Sequence, residues 1–158
     1  MKLTVSEAFK KYASISLSEA VDQGKFDEIV ALEIEPKLPR NIPVFLLDYP
    51  SEMAALARLK PEDSSVAERF ELYIGGLELC NAFTELTDPE EQRDRFMAEM
   101  HQRKQSDKIV YPMPERFLMA LEEMPDATGN ALGIDRLVML FADAATIDEV
   151  VAFSPEEL

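Results

Sequence analysis

Hydrophobic and polar positions alternate most regularly over residues 69–86, which read RFELYIGGLELCNAFTEL. Alternation with a period of two is typical of a β-strand that buries one face. Gly75 and Gly76 interrupt the pattern, and adjacent glycines suit a two-residue hairpin turn. The pattern therefore predicts a β-hairpin that turns at this pair.

The two-residue turn also predicts which residues of the hairpin lie opposite each other. The predicted pairs are Ile74 with Leu77, Tyr73 with Glu78, and Glu71 with Cys80. One face, pointing outward or into a cleft, would carry Glu71, Tyr73, Glu78 and Cys80. The other face would pack on the core and carry Phe70, Leu72, Ile74, Leu77 and Leu79.

A second group of candidate site residues follows on the same strand, at Asn81, Phe83 and Glu85. Strict alternation places this group on the face opposite Glu78. The two groups can share one site only if the strand bulges or bends between Glu78 and Asn81.

Spacings of three and four residues predict helices in the first part of the chain. Thr4 and Glu7 form a capping signal for a first helix, and Ser18 can cap a second. We expect residues 1–42 to form a peripheral helical segment. Residues 43–49 are a short apolar run that predicts a buried strand.

Residues 51–68 are polar and interrupted by proline, which predicts a loop with at most one helical turn. The later elements are predicted by their end signals: a helix from Asp88 to about Lys104, a helix over residues 115–124, an apolar helix from near Asp135, and a short strand over residues 150–153 before a frayed tail.

The chain has 158 residues, of which 47% are hydrophobic, so it can form a single domain with its own core. The predicted fold class is α+β, an antiparallel sheet flanked by helices. No apolar run approaches the roughly 20 residues that span a bilayer, and no leader is visible. With a single cysteine, Cys80, the chain cannot form an internal disulfide, and we expect a cytoplasmic protein with no membrane partner.

The net charge of −15 disfavours binding to phosphate backbones, although a nucleotide can still bind through a metal ion and a few arginines. Most of the acidic residues need no role beyond solubility. His101, the single histidine, lies among charged neighbours and is predicted to be a surface residue.

Glu71 and Glu78 would be diagonal neighbours across the hairpin, with Cβ atoms about 7 Å apart. Two carboxylates at that separation can bind one divalent cation, and Mg²⁺ prefers such oxygen ligands. The same pair could act as a general acid and base, or form a solvated hairpin face without a role. The spacing alone leaves these alternatives open.

Residues 129–136, GNALGIDR, form the second stretch with candidate chemistry. Gly129 and Gly133 allow close approach of backbone or of a flat ligand. Arg136 begins a helix, where a guanidinium suits a phosphate. Alternatively, Arg136 simply pairs with Asp135 or Glu78.

Together, RFELYIGGLELCNAFTELTDPEEQRDRF and GNALGIDRLVMLF resemble the C-terminal part of the class II lysyl-tRNA synthetase catalytic domain, and GNALGIDR resembles its motif 3. The resemblance covers roughly residues 60–155 and implies that residues 43–158 form the C-terminal part of that catalytic core. The most similar branch is the free-standing paralogue that attaches lysine or β-lysine to elongation factor P. That branch is indicated by SSVAERFELYIGGLELCNAF, by Ala131 in MPDATGNALGIDR, and by the early segments EAFKKY, IEPKLP and DYPSEMAALARL.

The resemblance implies a nucleotide site with ATP and Mg²⁺ as cofactors. Glu71 and Glu78 would hold Mg²⁺ on ATP, and Gly133 would let the adenine lie flat on the strand. Arg136 would bind the γ-phosphate, so Arg136 and Glu78 are the catalytic candidates.

The resemblance also implies a lysine pocket lined by Asn81, Phe83 and Glu85, with Glu85 receiving the amine of lysine. Cys80, beside Asn81, is a candidate for setting the size of the pocket. The implied reaction activates lysine as lysyl-adenylate.

Nothing in the chain resembles motif 1 or motif 2 of the family, which lie N-terminal to this region. We therefore expect a fragment, a truncated gene product or one half of a split enzyme, and a poor catalyst on its own. The expected partners are lysine or β-lysine and elongation factor P, together with a second copy or the missing N-terminal half; tRNA is disfavoured. The alternative is a catalytically inactive paralogue that acts as a nucleotide- or amino-acid-binding or regulatory module.

Overall fold

The structure is a computed structural model that describes residues 1–154. One sheet contains the strands β1 Lys2–Thr4, β2 Val44–Pro50, β3 Leu59–Lys60, β4 Asp63–Ile74, β5 Leu77–Thr84 and β6 Thr128–Leu132. Their order is β1-β2-β4-β5-β6, with β3 beside β4. The β1–β2 pairing is parallel and the other pairings are antiparallel. The sheet with its helices confirms the predicted α+β class.

The described α-helices are α1 Val5–Tyr12, α2 Leu17–Asp22, α3 Phe26–Ile29, α4 Pro89–Gln105, α5 Glu115–Leu121 and α6 Ile134–Ala142. Thr4 caps α1 as predicted, whereas α2 is capped by Ser16 and not by Ser18. The Asp88 side chain accepts hydrogen bonds from the first turn of α4, as its sequence signal predicts. Among these helices, none combines the length and the apolarity that crossing a membrane requires.

The N-terminal helices supply much of the buried core. The sequence predicts a peripheral position for residues 1–42, but apolar side chains from this segment pack against β2 and β4. The main cluster includes Val5, Phe9, Phe26 and Ile34 from the segment, and Val44, Leu46, Tyr49 and Tyr73 from the sheet. The helices are short and rich in charge, so their apolar positions are too few to reveal the packing by periodicity alone.

The hairpin β4–β5 turns where the glycines predict, because Gly75 and Gly76 adopt φ of +66° and +87°. The predicted pairs Ile74–Leu77 and Tyr73–Glu78 are confirmed. The register then shifts, so Leu72 lies opposite Cys80 and Glu71 lies opposite Asn81. The predicted Glu71–Cys80 pair is therefore wrong, because Leu79 is an extra residue on β5.

The assignment of the hairpin faces also needs correction. The face that carries Glu71 and Tyr73 lies on the buried side with the N-terminal helices, and both residues are buried. Cys80 has moved to the opposite face, where it lies across from Leu72. Of the residues expected on the core-facing side, Leu79 is buried, whereas Phe70, Leu72, Ile74 and Leu77 are only half-buried.

Two further expectations differ from the structure. β4 begins at Asp63, so the second part of the predicted loop 51–68 belongs to the sheet; the expected helical turn is the 3₁₀ turn Ser51–Met53. Residues 150–153 are bends and a turn and not a strand, and they follow the 3₁₀ turn Ile147–Glu149. The rest of the predicted frayed tail lies outside the described residues.

Gln92, near the start of α4, is 1% exposed, and its side-chain amide has no hydrogen-bond partner among the described residues. A buried polar group without a partner costs roughly 1–3 kcal/mol. We expect Gln92→Met, which keeps an unbranched side chain of similar length, to raise the free energy of unfolding by about 1 kcal/mol. Urea denaturation measures this, with Gln102→Met at an exposed position of α4 as the control. A lower stability for Gln92→Met would show that the amide is satisfied in solution.

Candidate functional site

The bulge at Leu79 brings the two predicted groups of site residues onto one face of the sheet. On one side of the bulge Tyr73 lies opposite Glu78; on the other side Glu71 lies opposite Asn81, and Arg69 lies opposite Phe83. Side chains at directly opposed positions project from the same face of an antiparallel sheet. The predicted break in alternation between Glu78 and Asn81 is thus confirmed.

Glu71 is held by three side-chain donors although it is only 8% exposed. Its Oε1 accepts hydrogen bonds from Arg69 Nη2 at 2.8 Å and from Asn81 Nδ2 at 3.0 Å. Its Oε2 accepts from the Tyr73 hydroxyl at 2.7 Å. A carboxylate offers about four acceptor positions, so one position remains for a cation or a further donor.

Arg69 is a site residue that the sequence analysis did not identify. Its Nε donates to Asn81 Oδ1 at 3.2 Å, and its Nη1 donates to the backbone carbonyl of Met53 at 2.9 Å. Its guanidinium also lies over the Tyr49 ring, 4.2 Å from the ring centroid. The available signal was its position two residues before Glu71, which puts both side chains on one face of β4.

Glu35, in the 3₁₀ turn Glu35–Lys37, is the second site residue that the sequence analysis missed. Its Oε1 lies 3.0 Å from the Tyr73 hydroxyl, which has one hydrogen to donate and also contacts Glu71. Burial raises the pKa of the Glu35 carboxyl, and the charges of Glu71 and Glu78 raise it further, against the opposing effect of the Tyr73 hydrogen bond. No local sequence pattern connects this residue with the hairpin.

Arg136, in the first turn of α6, reaches back to the sheet. Its Nη1 donates to the backbone carbonyl of Glu78 at 2.8 Å and contacts Glu78 Oε2 at 3.3 Å. The pairing of Arg136 with Glu78, one of the alternatives left open by the sequence, is therefore present. Gly133 is the N-cap of α6, and its N–H donates to the carbonyl of Leu79, which ties this helix to the bulge.

The Glu85 carboxylate lies directly over Gly129. A Cβ atom placed on Gly129 would come within 2.1 Å of Glu85 Oε1. Gly129 pairs with Phe83 across β5 and β6, so the carboxylate lies on the face that carries Phe83. The missing side chain at Gly129 thus leaves room for the Glu85 carboxylate, whereas the sequence predicted close approach of backbone or of a flat ligand at this glycine.

Cys80 does not lie beside the Asn81 side chain, because consecutive strand residues point to opposite faces. Cys80 lies opposite Leu72 on the other face of the hairpin, and its role in setting the size of the lysine pocket stays a prediction. Burial raises the pKa of its thiol. His101 is exposed as predicted and contacts the side chain of Gln105.

Glu71, Glu78 and Arg136 are the groups of this site that could hold Mg²⁺ and a triphosphate. Glu78 is partly exposed, Glu71 has one acceptor position left, and Arg136 contacts Glu78. Carboxylate oxygens and a guanidinium are the groups that bind Mg²⁺-bound phosphates. Within residues 1–154, no cluster of three or more acidic, histidine or cysteine side chains could hold a metal by itself. The residues fit a cation that takes its remaining ligands from phosphate and water.

This fold and this site define a class of protein. The family model described as tRNA synthetases class II (D, K and N) matches residues 1–157. The chain therefore belongs to the class II tRNA synthetase family, and the resemblance found on the hairpin and on GNALGIDR is confirmed.

Two kinds of relatives are similar to the chain. The elongation factor P–(R)-β-lysine ligase of Haemophilus influenzae (strain PittGG) is 48% identical over 130 residues, which cover 82% of this chain and 39% of that protein. The lysine–tRNA ligase of Anaeromyxobacter sp. (strain K) is 46% identical over 127 residues, covering 78% of this chain and 25% of that protein. The lysine–tRNA ligase of Moorella thermoacetica is 40% identical over an alignment of 172 positions, which covers 96% of this chain and 35% of that protein. The chain thus spans well under half the length of these relatives.

Proposed function

We propose that the chain is the ATP- and lysine-binding part of a ligase that forms lysyl-adenylate for transfer to elongation factor P. The observation that carries this proposal is the register shift at Leu79, which puts Glu71 opposite Asn81. A candidate Mg²⁺ ligand and a candidate lysine-pocket residue are thereby joined by a hydrogen bond of 3.0 Å. The sequence identity of 48% to the β-lysine ligase of H. influenzae supports elongation factor P as the acceptor.

In this proposal, Glu71 and Glu78 would hold Mg²⁺, which would supply positive charge to the triphosphate. Arg136 exchanges its contact with Glu78 for the γ-phosphate, and Gly133 leaves room for the adenine. These groups position the triphosphate and stabilise the charge that develops on it.

The lysine subsite of the proposal consists of Asn81, Phe83 and Glu85. Glu85 receives the amine of lysine, so the substrate carboxylate is directed toward ATP. An oxygen of that carboxylate attacks the α-phosphorus, the bond from this phosphorus to the bridging oxygen breaks, and pyrophosphate leaves.

Titration calorimetry with Mg²⁺, ATP and L-lysine tests binding, and pyrophosphate exchange tests catalysis. We expect binding of both ligands and weak or absent exchange by this chain alone. Absence of ATP and lysine binding contradicts the proposal. Replacing L-lysine by (R)-β-lysine in the same titration identifies the preferred amino acid.

The second candidate is a non-catalytic nucleotide- or amino-acid-binding module with a regulatory role. This candidate is favoured by the contacts that the two acids already make. The Glu71 carboxylate accepts three hydrogen bonds, and Glu78 is paired with Arg136. Binding without any pyrophosphate exchange, even after the rest of a related ligase is supplied as a separate chain, supports this module. Exchange restored by that addition supports the ligase.

The remaining expectations about partners and location belong to the same proposal. The net charge of −15 disfavours tRNA as a partner of this chain. Elongation factor P is the proposed protein partner, and a cytoplasmic location follows from a role in protein biosynthesis. A homodimer, or association with a separate N-terminal half, would cover β6, which is an edge strand of the sheet within residues 1–154.

A further inference from the structure

Arg69, Glu71 and Asn81 form a closed ring of side-chain hydrogen bonds. Arg69 donates to Glu71 Oε1 at 2.8 Å and to Asn81 Oδ1 at 3.2 Å, and Asn81 Nδ2 donates to the same Glu71 oxygen at 3.0 Å. Each member contacts both of the others. The three side chains therefore hold one another in place.

Only one orientation of the Asn81 amide fits this ring. With Oδ1 toward the guanidinium, the NH₂ group faces the Glu71 carboxylate and every contact joins a donor to an acceptor. The flipped amide would set NH₂ against the guanidinium and an oxygen against the carboxylate, and both contacts would be repulsive. Arg69 thus fixes which atoms Asn81 can still offer to a ligand.

Arg69 is itself fixed from two other directions. Its Nη1 donates to the Met53 carbonyl at 2.9 Å, and its guanidinium stacks on the Tyr49 ring. Its side chain is 19% exposed, so water competes little for these contacts. A lysine at this position has one compact ammonium group and cannot make the two separate planar contacts of the ring.

We propose that Arg69 is a positioning residue that couples the lysine subsite to the Mg²⁺–ATP subsite through its ring with Asn81 and Glu71. The inference rests on the proposed function, because Asn81 belongs to the lysine subsite and Glu71 to the nucleotide subsite. Because the ring joins the two side chains, a ligand that displaces Asn81 also displaces Glu71, so binding at one subsite changes the affinity of the other.

The test is a calorimetric titration of Mg²⁺–ATP into the chain with and without saturating L-lysine. We expect lysine to tighten ATP binding by roughly five- to tenfold in the unaltered chain. In Arg69→Lys, each ligand binds more weakly and the coupling factor falls to about one, because the ring is broken.

Arg58→Lys is the matched control. Arg58 makes a comparable two-atom pair with Glu68 on β4, at 3.0 Å from Nε and 2.9 Å from Nη2, and this pair takes no part in the ring. We expect Arg58→Lys to keep the coupling factor of the unaltered chain. A loss of coupling in Arg69→Lys alone assigns the effect to the ring.

A second measurement uses the unaltered chain and does not depend on how the variant folds. Addition of Mg²⁺–ATP without lysine should shift the NMR resonances of the Asn81 side-chain amide and of Arg69 Nε–H.

Absence of these shifts, or binding of both ligands without coupling, overturns the inference and leaves the proposed function standing. Full coupling in a folded Arg69→Lys also overturns it. Binding of neither ligand is a different result, which removes the proposed function and the inference together.

Discussion

Replacing Glu71 by Gln is expected to weaken Mg²⁺–ATP binding at least about tenfold while leaving the fold intact, since the charge needed by the cation is lost but the hydrogen-bond partners of the side chain are kept. The amide oxygen can still accept from Arg69 and Asn81. The new NH₂ group can donate to the Tyr73 oxygen, and the Tyr73 hydroxyl can turn its hydrogen to Glu35, which lies 3.0 Å away. Calorimetry measures the affinity, and urea denaturation measures the stability.

Glu71→Leu should behave differently, because it removes the partner of a poorly solvated guanidinium. Breaking a buried pair from one side costs about 3–5 kcal/mol, and partial exposure of Arg69 together with its remaining partners reduces the expected loss to about 2 kcal/mol. The double change Arg69→Met, Glu71→Leu should recover part of that loss.

The matched control for this stability loss is Glu68→Leu, which breaks the more exposed pair of Glu68 with Arg58. We expect it to cost less than about 1 kcal/mol. Equal stability losses for Glu71→Leu and Glu68→Leu would show that the ring around Glu71 does not stabilise the fold. Undiminished ATP binding in Glu71→Gln would remove Glu71 from the proposed Mg²⁺ site.

Local signals were sufficient for the turn and for several helix ends. Gly75 and Gly76 predict the hairpin because left-handed backbone at two adjacent positions suits glycine. Asp88 and Pro89 predict the start of α4 because their side chains satisfy or remove its first free N–H groups. These features depend on neighbours in the sequence, so one sequence is enough to find them.

The bulge was only partly predictable. Glu78 and Asn81 can share one site only if the alternation of β5 is interrupted between them. The sequence does not indicate which residue of β5 is the extra one. Leu79 takes that role in the structure, where its carbonyl accepts from Gly133 N–H at the start of α6. That contact joins residues far apart in sequence, and no local pattern contains it.

The supporting residues of the site were missed for the same reason. Glu35 reaches Tyr73 across 38 positions of sequence, and Arg69 connects Met53, Asn81 and Glu71 across three strands or turns. Their roles arise from the packing of the N-terminal segment and the Ser51–Met53 turn on one face of the sheet. The family resemblance of the sequence implies the residues that would contact the ligands, and the structure adds the residues that hold them.

Gly129→Ala is expected to weaken lysine binding at least about tenfold with little loss of stability. The added Cβ would lie 2.1 Å from Glu85 Oε1, so the carboxylate must move. Because this atom is the end of a flexible side chain, it can move without disturbing the strands. The displaced carboxylate then no longer meets the amine of lysine, and calorimetry with L-lysine measures the loss.

Gly133→Ala provides the matched control, because its added Cβ would lie 3.4 Å or more from the Arg136 side chain, at ordinary contact distance. We expect this variant to keep the affinity for lysine, whereas its affinity for Mg²⁺–ATP falls if the adenine lies over Gly133. Reciprocal losses, of lysine binding in Gly129→Ala and of ATP binding in Gly133→Ala, would assign the two glycines of GNALGIDR to the two subsites. Unchanged lysine binding in Gly129→Ala would instead remove Glu85 from the lysine subsite, because its carboxylate cannot remain where the structure places it.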